Sequence, residues 1–417
     1  MKTENYAALV ALDWGETEHA FAAQVAESSI ETGTIPASSE TLHSWLEELH
    51  ERTHGGLVAV ALEGGKSAVV HALLAHPWVV IYPVHPATSE RFRTAFTPSG
   101  AKDDVPDALV LLDILRQHRN LLRPLALDSP QTRKLSALVA VRRAAVDQRT
   151  RLSSELASTL KSYYPQALDL CGRDMAASLA LDLLTRWPEL KALRAARAAT
   201  VQAFYTAHNS RRCDVLAERI AVIAKSHPLT EDRAVIEPAV LRVKLLVDIL
   251  RPLQRNIALI EEQIAEAFEA HPEAALYRGL PGAGPATAPR LLVAFGTDRG
   301  RYPQASSMQK FGGIAPVKVK SGHQLWIHWR WNAPKFLRQT FVEWAGQSIP
   351  KCPWAKAFYL QKRAAGKHHQ AALRALAFKW IRILWRCWQD RIPYDEARYI
   401  ASLRQRKSPL ATRLSTA

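Results

Sequence analysis

Two acids close short apolar runs near the start of the chain. Asp13 follows YAALVAL, residues 6–12, and Glu63 lies near the end of GLVAVALEGG, residues 56–65. Runs this short and apolar read as buried strands. If the two strands are adjacent and parallel, both carboxylates emerge at one edge of the sheet, where open α/β sheets place their sites. Asp104 and Asp107 stand three apart in KDDVPDALVLLDILRQHRN, residues 102–120, which reads as a helix with acids in its first turns. That spacing puts both side chains on one helix face. Four converging carboxylates repel one another unless a cation sits among them. Oxygen-only ligands select a hard ion such as Mg²⁺, with Mn²⁺ as a substitute. Two such ions could activate a nucleophile and stabilise a leaving oxygen at a phosphodiester. Singly these acids are ordinary: Asp104 and Asp107 could merely complement the helix dipole, and Asp103 competes with Asp104 as the coordinating neighbour.

A second kind of reactive group is Ser321, in KVKSGHQLW, residues 318–326. Around it in sequence are Lys318, Lys320, Arg330, Lys335 and Arg338. Cations of this kind hold a scissile phosphate and stabilise its transition-state charge, and a serine among them could attack phosphorus. His323 and His328 are near, but no His-Asp pair is evident and the G-x-S-x-G elbow is absent. Spacing alone favours reading Ser321 as part of a phosphate-binding or merely flexible Ser-Gly loop. LPGAGP, residues 280–285, resembles the hairpin of a helix-hairpin-helix module, in which Gly282 and Gly284 let backbone N–H groups approach a phosphate. A tight turn between two core helices is the alternative.

The elements that must position these groups are legible in outline. At 417 residues the chain exceeds one core, and 48% hydrophobic content is that of a globular protein. No apolar run is long enough to span a bilayer and no leader is expected, so the location expected is the cytoplasm, associated with the prokaryotic nucleoid. Cys171, Cys213, Cys352 and Cys387 are scattered without paired spacing, which argues against a zinc site or a disulfide framework. From Arg278 onward there are 25 Lys+Arg against 5 Asp+Glu, a balance of +20, while the whole chain carries 55 against 39. Eight of the twelve tryptophans lie in the same region. Basic residues interleaved with aromatics favour a nucleic acid over a membrane surface; the alternative is a solvated basic face with tryptophans in a core.

Residues 6–12, 19–26, 56–65 and 78–84 read as strands, and 32–39 as a short strand or turn. Helices are expected at 39–53, with Ser39 as N-cap, at 66–75 and at 102–120. This alternation implies an α/β domain over residues 1–125. Residues 126–276 change character, with long helical stretches at 131–164 and 237–271. Pro252 could kink the second stretch. The region reads as an antiparallel coiled-coil dimerisation arm with a helical insert, or as a plain helical bundle. Residues 277–410 form a mainly helical basic domain. The order strand-Asp, strand-Glu, helix-Asp-x-x-Asp is the one expected of a ribonuclease-H-like core.

Together these motifs resemble the DEDD-type insertion-sequence transposases, a group that includes Piv-type DNA invertases and bridge-RNA-guided recombinases. The family's strand-end Asp matches Asp13 in ALDWG and its Glu matches Glu63 in ALEGG. Its K-T-D-x-x-D-A motif matches KDDVPDA at 102–108, which selects Asp104 and Asp107; Asp103 departs from the family's Thr. Its P-G-x-G-x-x-x-A turn matches PGAGPATA at 281–288, and F-x-G-x-x-P…S-G matches FGGIAPVKVKSG, which puts the family's nucleophilic serine at Ser321. The N-x-x-L-R element matches loosely as NAPKFLR, and the tryptophans at 326–331 have no counterpart.

The resemblance implies a RuvC-like N-terminal domain, a coiled-coil middle and a C-terminal transposase domain. It implies Mg²⁺ on Asp13, Glu63, Asp104 and Asp107, and a covalent 5′-phosphoserine on Ser321. The acids of one protomer would face the serine of another, in a homodimer that becomes a tetramer at synapsis. Donor and target double-stranded DNA would be paired through an element-encoded bridge RNA, base pairing reading sequence while protein reads backbone. The alternatives are a Piv-like invertase without guide RNA, a RuvC-like metal nuclease or resolvase using water, and a nucleic-acid-binding protein without chemistry.

Overall fold

The computed structural model describes residues 5–65, 68–96, 104–210 and 212–414. They fall into two compact units, Met1–Leu127 and Asp128–Ala417.

The first unit is built on a five-stranded sheet. Strands β1 (Ala8–Trp14), β2 (Glu18–Val25) and β3 (Glu31–Pro36) form an antiparallel meander. Strands β4 (Val58–Glu63) and β5 (Val79–Val84) run parallel to β1, giving the order β3-β2-β1-β4-β5. Four helices accompany it: α1 (Ser39–Arg52), α2 (Ala68–Leu73), α3 (Pro86–Phe96) and α4 (Asp104–His118). The cap of α1 is Ser38, not Ser39: Ser38 is extended and its Oγ accepts from the Thr41 N–H at 3.1 Å, whereas Ser39 is already helical.

The pleat sends alternate strand residues to opposite faces, and the sequence has sorted the faces by size. Val10, Leu12, Val58, Val60 and Leu62 pack with Leu42, Leu46 and Leu49 of α1 and Val69, Val70 and Leu73 of α2. Ala11, Ala59 and Ala61 face the other way and pack with Ala108, Leu111, Leu112 and Leu115 of α4. Alanines let α4 approach the strands closely, while each buried leucine contributes about 1.5–3 kcal/mol. Asp13 and Glu63 continue the alanine series, two residues beyond Ala11 and Ala61.

In the second unit, α5 (Pro130–Tyr163) and α11 (Arg233–Glu269) pack along their length. Arg142 pairs with Glu261 and Glu155 with Arg242, so the two helices are antiparallel. Helix α11 continues through Pro252, the position of the possible kink. Between them five short helices, α6–α10 within residues 166–225, build their own core with Leu152, Leu156, Leu160, Val243, Leu246 and Leu250. At the other end of the pair, Leu135, Val139, Ile264 and Phe268 join the core of the C-terminal region. The boundary read at 276/277 therefore falls inside one compact unit.

That region comprises α12 (Ala274–Arg278), α13 (Ala288–Phe295), α14 (Ala305–Phe311), the hairpin β6 (Val317–Ser321) and β7 (Gln324–His328), then α15 (Lys335–Ser348), α16 (Pro353–Ala364), α17 (His369–Asp390), α18 (Glu396–Gln405) and α19 (Pro409–Leu414). Trp344, Trp354, Trp380 and Trp388 are fully buried in its core. Half of the C-terminal tryptophans thus hold the fold together, and the aromatic interleaving read from the sequence applies only to the others.

Candidate active site

The geometry of the acids follows from strand register. β1 and β4 pair parallel through Leu12 opposite Leu62, and Asp13 and Glu63 are the next residues on each strand. Sharing the alanine face, both look toward the start of α4. Asp107 stands one residue before the buried Ala108, in the first turn of that helix. Asp13, Glu63 and Asp107 accordingly line one cavity of about 220 Å³. Asp104 opens α4, but its side chain and all of Asp103 lie outside the described residues.

Helix α3 supplies much of the remaining lining. Arg93 donates through Nη1 to both carboxylate oxygens of Asp107, each at 2.9 Å, with both side chains mostly shielded from solvent. That contact raises the Arg93 guanidinium above its ordinary value. Ser89 Oγ donates to Glu63 Oε1 at 2.5 Å, and Glu90 also borders the cavity. Ser89 and Arg93 sit four apart, on one helix face. The signal available was Pro86 at a helix start followed by SERFR.

The donor set suits a hard divalent cation: carboxylate oxygens from three elements around a small cavity. Among the described residues no three His, Cys, Asp or Glu side chains stand close enough to share one ion. In their place Arg93 supplies the positive charge that gathered carboxylates need.

Ser321 is on the second unit, at the end of β6. The segment read as a loop is a two-stranded hairpin, with Ser321 opposite Gln324 and Gly322-His323 as its turn. Gly322 has φ +56°, the left-handed conformation that two-residue hairpin turns demand. The β-branched and aromatic residues of VKVKS and QLWIH, on either side of the two residues Gly322-His323, were the missed signal. β7 is exposed throughout and β6 nearly so, with Trp326 51% and Ile327 62% accessible, so the hairpin has no core of its own. Lys318, Lys320 and Lys335 are exposed. Arg330 and Arg338 are used differently. Arg330 Nε donates to the Ala315 carbonyl at 3.3 Å, and Arg338 Nη2 to the Arg330 carbonyl at 2.9 Å. Trp329 is flanked by the guanidinium groups of Arg338 and Arg374, at 4.7 and 4.4 Å from the ring centre. These groups anchor the hairpin base. His328 Nδ1 lies 2.9 Å from the Trp329 carbonyl, and no base is hydrogen-bonded to Ser321 among the described residues.

The two glycines of the 281–288 turn have different surroundings. Gly282 has φ +75°, and a Cβ there would stand 2.5 Å from the Gln347 carbonyl carbon and 2.6 Å from the Ser348 nitrogen of α15. Gly284 is exposed, with open space where a Cβ would be. Gly282 is therefore explained by helix packing, and only Gly284 remains free to approach a ligand.

Two family models match the chain. One, described as transposase and named for the DEDD motif, covers residues 10–165; the other, described as transposase of the IS116/IS110/IS902 family, covers 274–360. Together they span more than half of the chain and include every candidate residue above. The chain belongs to the DEDD-type insertion-sequence transposase family. Members of this family are enzymes that cut and join DNA, and divalent metal use is general to the domain. Its relatives include a Streptomyces coelicolor protein named as the mini-circle transposase of IS117, 27% identical over 85% of this chain and 84% of its own length. The IS110 insertion-element protein of the same organism is 25% identical over 94% of this chain and 96% of its own. The IS116 insertion-element protein of Streptomyces clavuligerus is 27% identical over 94% and 97%. No helix among the described residues of this transposase is long and apolar enough to cross a membrane.

Proposed function

We propose that this transposase breaks and rejoins DNA through a covalent link to Ser321, assisted by a divalent cation on the N-terminal acids. The observation that carries the reading is the shared face: register and pleat deliver Asp13 and Glu63 to the helix turn that bears Asp107. The sheet order β3-β2-β1-β4-β5, with acids at these positions, supports a RuvC-like, ribonuclease-H-like domain.

In the proposed reaction Ser321 Oγ attacks the scissile phosphorus. The Oγ–P bond forms as the P–O3′ bond breaks; the serine proton is lost and the departing oxygen gains one, leaving a free 3′-hydroxyl and a 5′-phosphoserine. A 3′-hydroxyl of the exchanged strand then attacks the phosphoserine and regenerates the serine, so bond energy is conserved. Lys318, Lys320 and Lys335, exposed around the hairpin, would hold phosphate oxygens, and Gly284 would offer its backbone N–H. Asp13, Glu63, Asp104 and Asp107 would hold Mg²⁺, or Mn²⁺ in its place, which when bound supplies Lewis-acid polarisation of a phosphate oxygen. The acids of one protomer would serve the serine of its partner.

The assembly we propose is a homodimer, tetrameric at synapsis. Leu241, Leu245 and Ile249 form an exposed apolar stripe on α11 at helical spacing, 69%, 58% and 37% accessible, which supports self-association through the helix pair. An element-encoded bridge RNA would pair donor and target DNA, with the +20 region gripping backbone.

One observation favours a second reading. Among the described residues no base is hydrogen-bonded to Ser321, which suits hydrolysis by water at the acids alone. A cleavage assay, with the protein expressed beside its native flanking DNA, separates the two. The recombinase reading expects Asp13→Ala and Ser321→Ala both to abolish strand exchange. Cleavage that survives Ser321→Ala and is lost in Asp13→Ala would replace it with the nuclease reading.

A further inference from the structure

A cleft of about 1000 Å³ lies between α16, α17 and α18, and no residue of the hairpin lines it. Its charge is one-sided. Lys379, Arg382 and Arg386 project from one face of α17, and Arg398 and Arg406 face them from α18 and its end. Arg386 is paired with Asp390 at 2.6 Å. Asp395, the other acid lining the cleft, caps α18 by accepting from the Arg398 N–H at 3.0 Å. Among the described residues no carboxylate lies within ion-pair distance of Lys379, Arg382, Arg398 or Arg406. Burial lowers the Lys379 ammonium below its ordinary value, and Arg382, Arg406 and Lys362 push it further. A fold that holds such cations together without counter-charge stores repulsion that a bound polyanion relieves.

The walls narrow the choice of polyanion. Phe358, Phe378, Trp385, Tyr394 and Tyr399 line the same cleft and are half-buried, each keeping part of its ring accessible. Aromatic faces beside a basic track suit stacked bases, and only unpaired bases offer their faces. An acidic peptide would use the cations and leave the rings idle. From Lys379 to Arg386 the helix rises about 10 Å, so these cations form a track along which more than one phosphate can bind.

We propose that this cleft is a second nucleic-acid site, separate from the Ser321 hairpin, which takes the phosphodiester backbone of an unpaired strand with its bases against the aromatic wall. Arg382 and Arg398 are the exposed, unpaired cations through which to test it. The full-length Arg382→Gln/Arg398→Gln double variant and wild type are titrated with fluorescent oligothymidine, oligouridine and a duplex of equal length, over a range of salt. A Lys351→Gln/Lys356→Gln variant, with two exposed lysines that do not line the cleft, controls for overall charge. We expect single-strand affinity to fall about tenfold in the cleft variant, from two weakened charge-assisted contacts discounted for exposure. The slope of log affinity against log salt should shrink by about 1.4, or 0.7 for each phosphate released. Duplex affinity should change less. A larger loss for oligouridine assigns the cleft to RNA, and an equal loss to either strand by its shared backbone. Unchanged single-strand affinity and slope, or the same loss in the control variant, would overturn the proposal.

Discussion

Replacing Gly282 by alanine should damage the second unit's stability rather than its grip on phosphate. The positive φ of +75° carries a cost for a non-glycine residue of order 1–3 kcal/mol. Independently, the new methyl would lie 2.5–2.6 Å from the Gln347 carbonyl and the Ser348 nitrogen, all backbone atoms of α15. Backbone cannot swing aside as a side-chain tip can, so α15 must shift; overpacking of this kind costs about 1–3 kcal/mol. The shift would pull on Trp344, whose Nε1 donates to the Pro281 carbonyl at 3.1 Å. The sum, about 2–6 kcal/mol, corresponds to a fall of about 5–15 °C in the melting temperature of a unit this large. Gly284→Ala, into open space, is the matched control and should melt within a degree or two of wild type. Differential scanning calorimetry of the three proteins is the assay. Equal melting of wild type and Gly282→Ala, with a loss confined to nucleic-acid affinity, would refute the packing argument.

Arg93→Met should strengthen divalent-ion binding by about tenfold, because the guanidinium and the ion compete for the same Asp107 oxygens. Mn²⁺ titration followed by magnetic resonance reads this without activity, and unchanged affinity would mean that Arg93 does not guard the site. Leu241→Glu/Leu245→Glu should reduce the solution mass from dimer to monomer in sedimentation, by placing charge in the exposed α11 stripe; an unchanged dimer would move the interface elsewhere. His208 should make the helical insert pH-sensitive. Burial, the largest single influence, disfavours its charge, but the Phe204 carbonyl and the Asp182 carboxylate together raise it above the ordinary 6.5. The stabilisation is thus fully present below about 6.5 and is lost as pH rises through the elevated folded-state value. His208→Gln should flatten that part of the stability profile, and an unaltered profile would contradict the assignment.

The sequence disclosed the acids through periodicity. Short apolar runs ending in Asp13 and Glu63, and the three-residue spacing of Asp104 and Asp107, mark two strand-end acids and a helix bearing two more, but leave parallel pairing of the strands as a condition. Neither parity nor partner was anticipated, because both depend on which face α4 chose, and the alanines decided that through packing. Arg93 was hidden for a similar reason: α3 has a modest apolar signal, and its importance comes from where its side chains land. The hairpin went unread because VKVKS and QLWIH face solvent on both sides, so no hydrophobic alternation against a core marked them as strands. The glycine turn shows the opposite error. Gly282 and Gly284 are indistinguishable in sequence, and only the proximity of α15 separates a packing glycine from an open one. The tryptophans divide likewise: Trp380 and Trp388 occupy the inward stripe of α17, while Trp326 and Trp331 lie on exposed segments.

The central claim is that Ser321 becomes bonded to DNA. The most direct measurement traps the protein–DNA adduct formed in cells carrying the native flanking DNA, digests it with trypsin and maps the modified peptide by mass spectrometry. Cleavage after Lys320 and Arg330 yields SGHQLWIHWR, which begins with Ser321. The account predicts a nucleotide phosphate on that peptide, at the serine, and none in Ser321→Ala. A phosphate-linked nucleotide on any other residue, or the same adduct in Ser321→Ala, would contradict it.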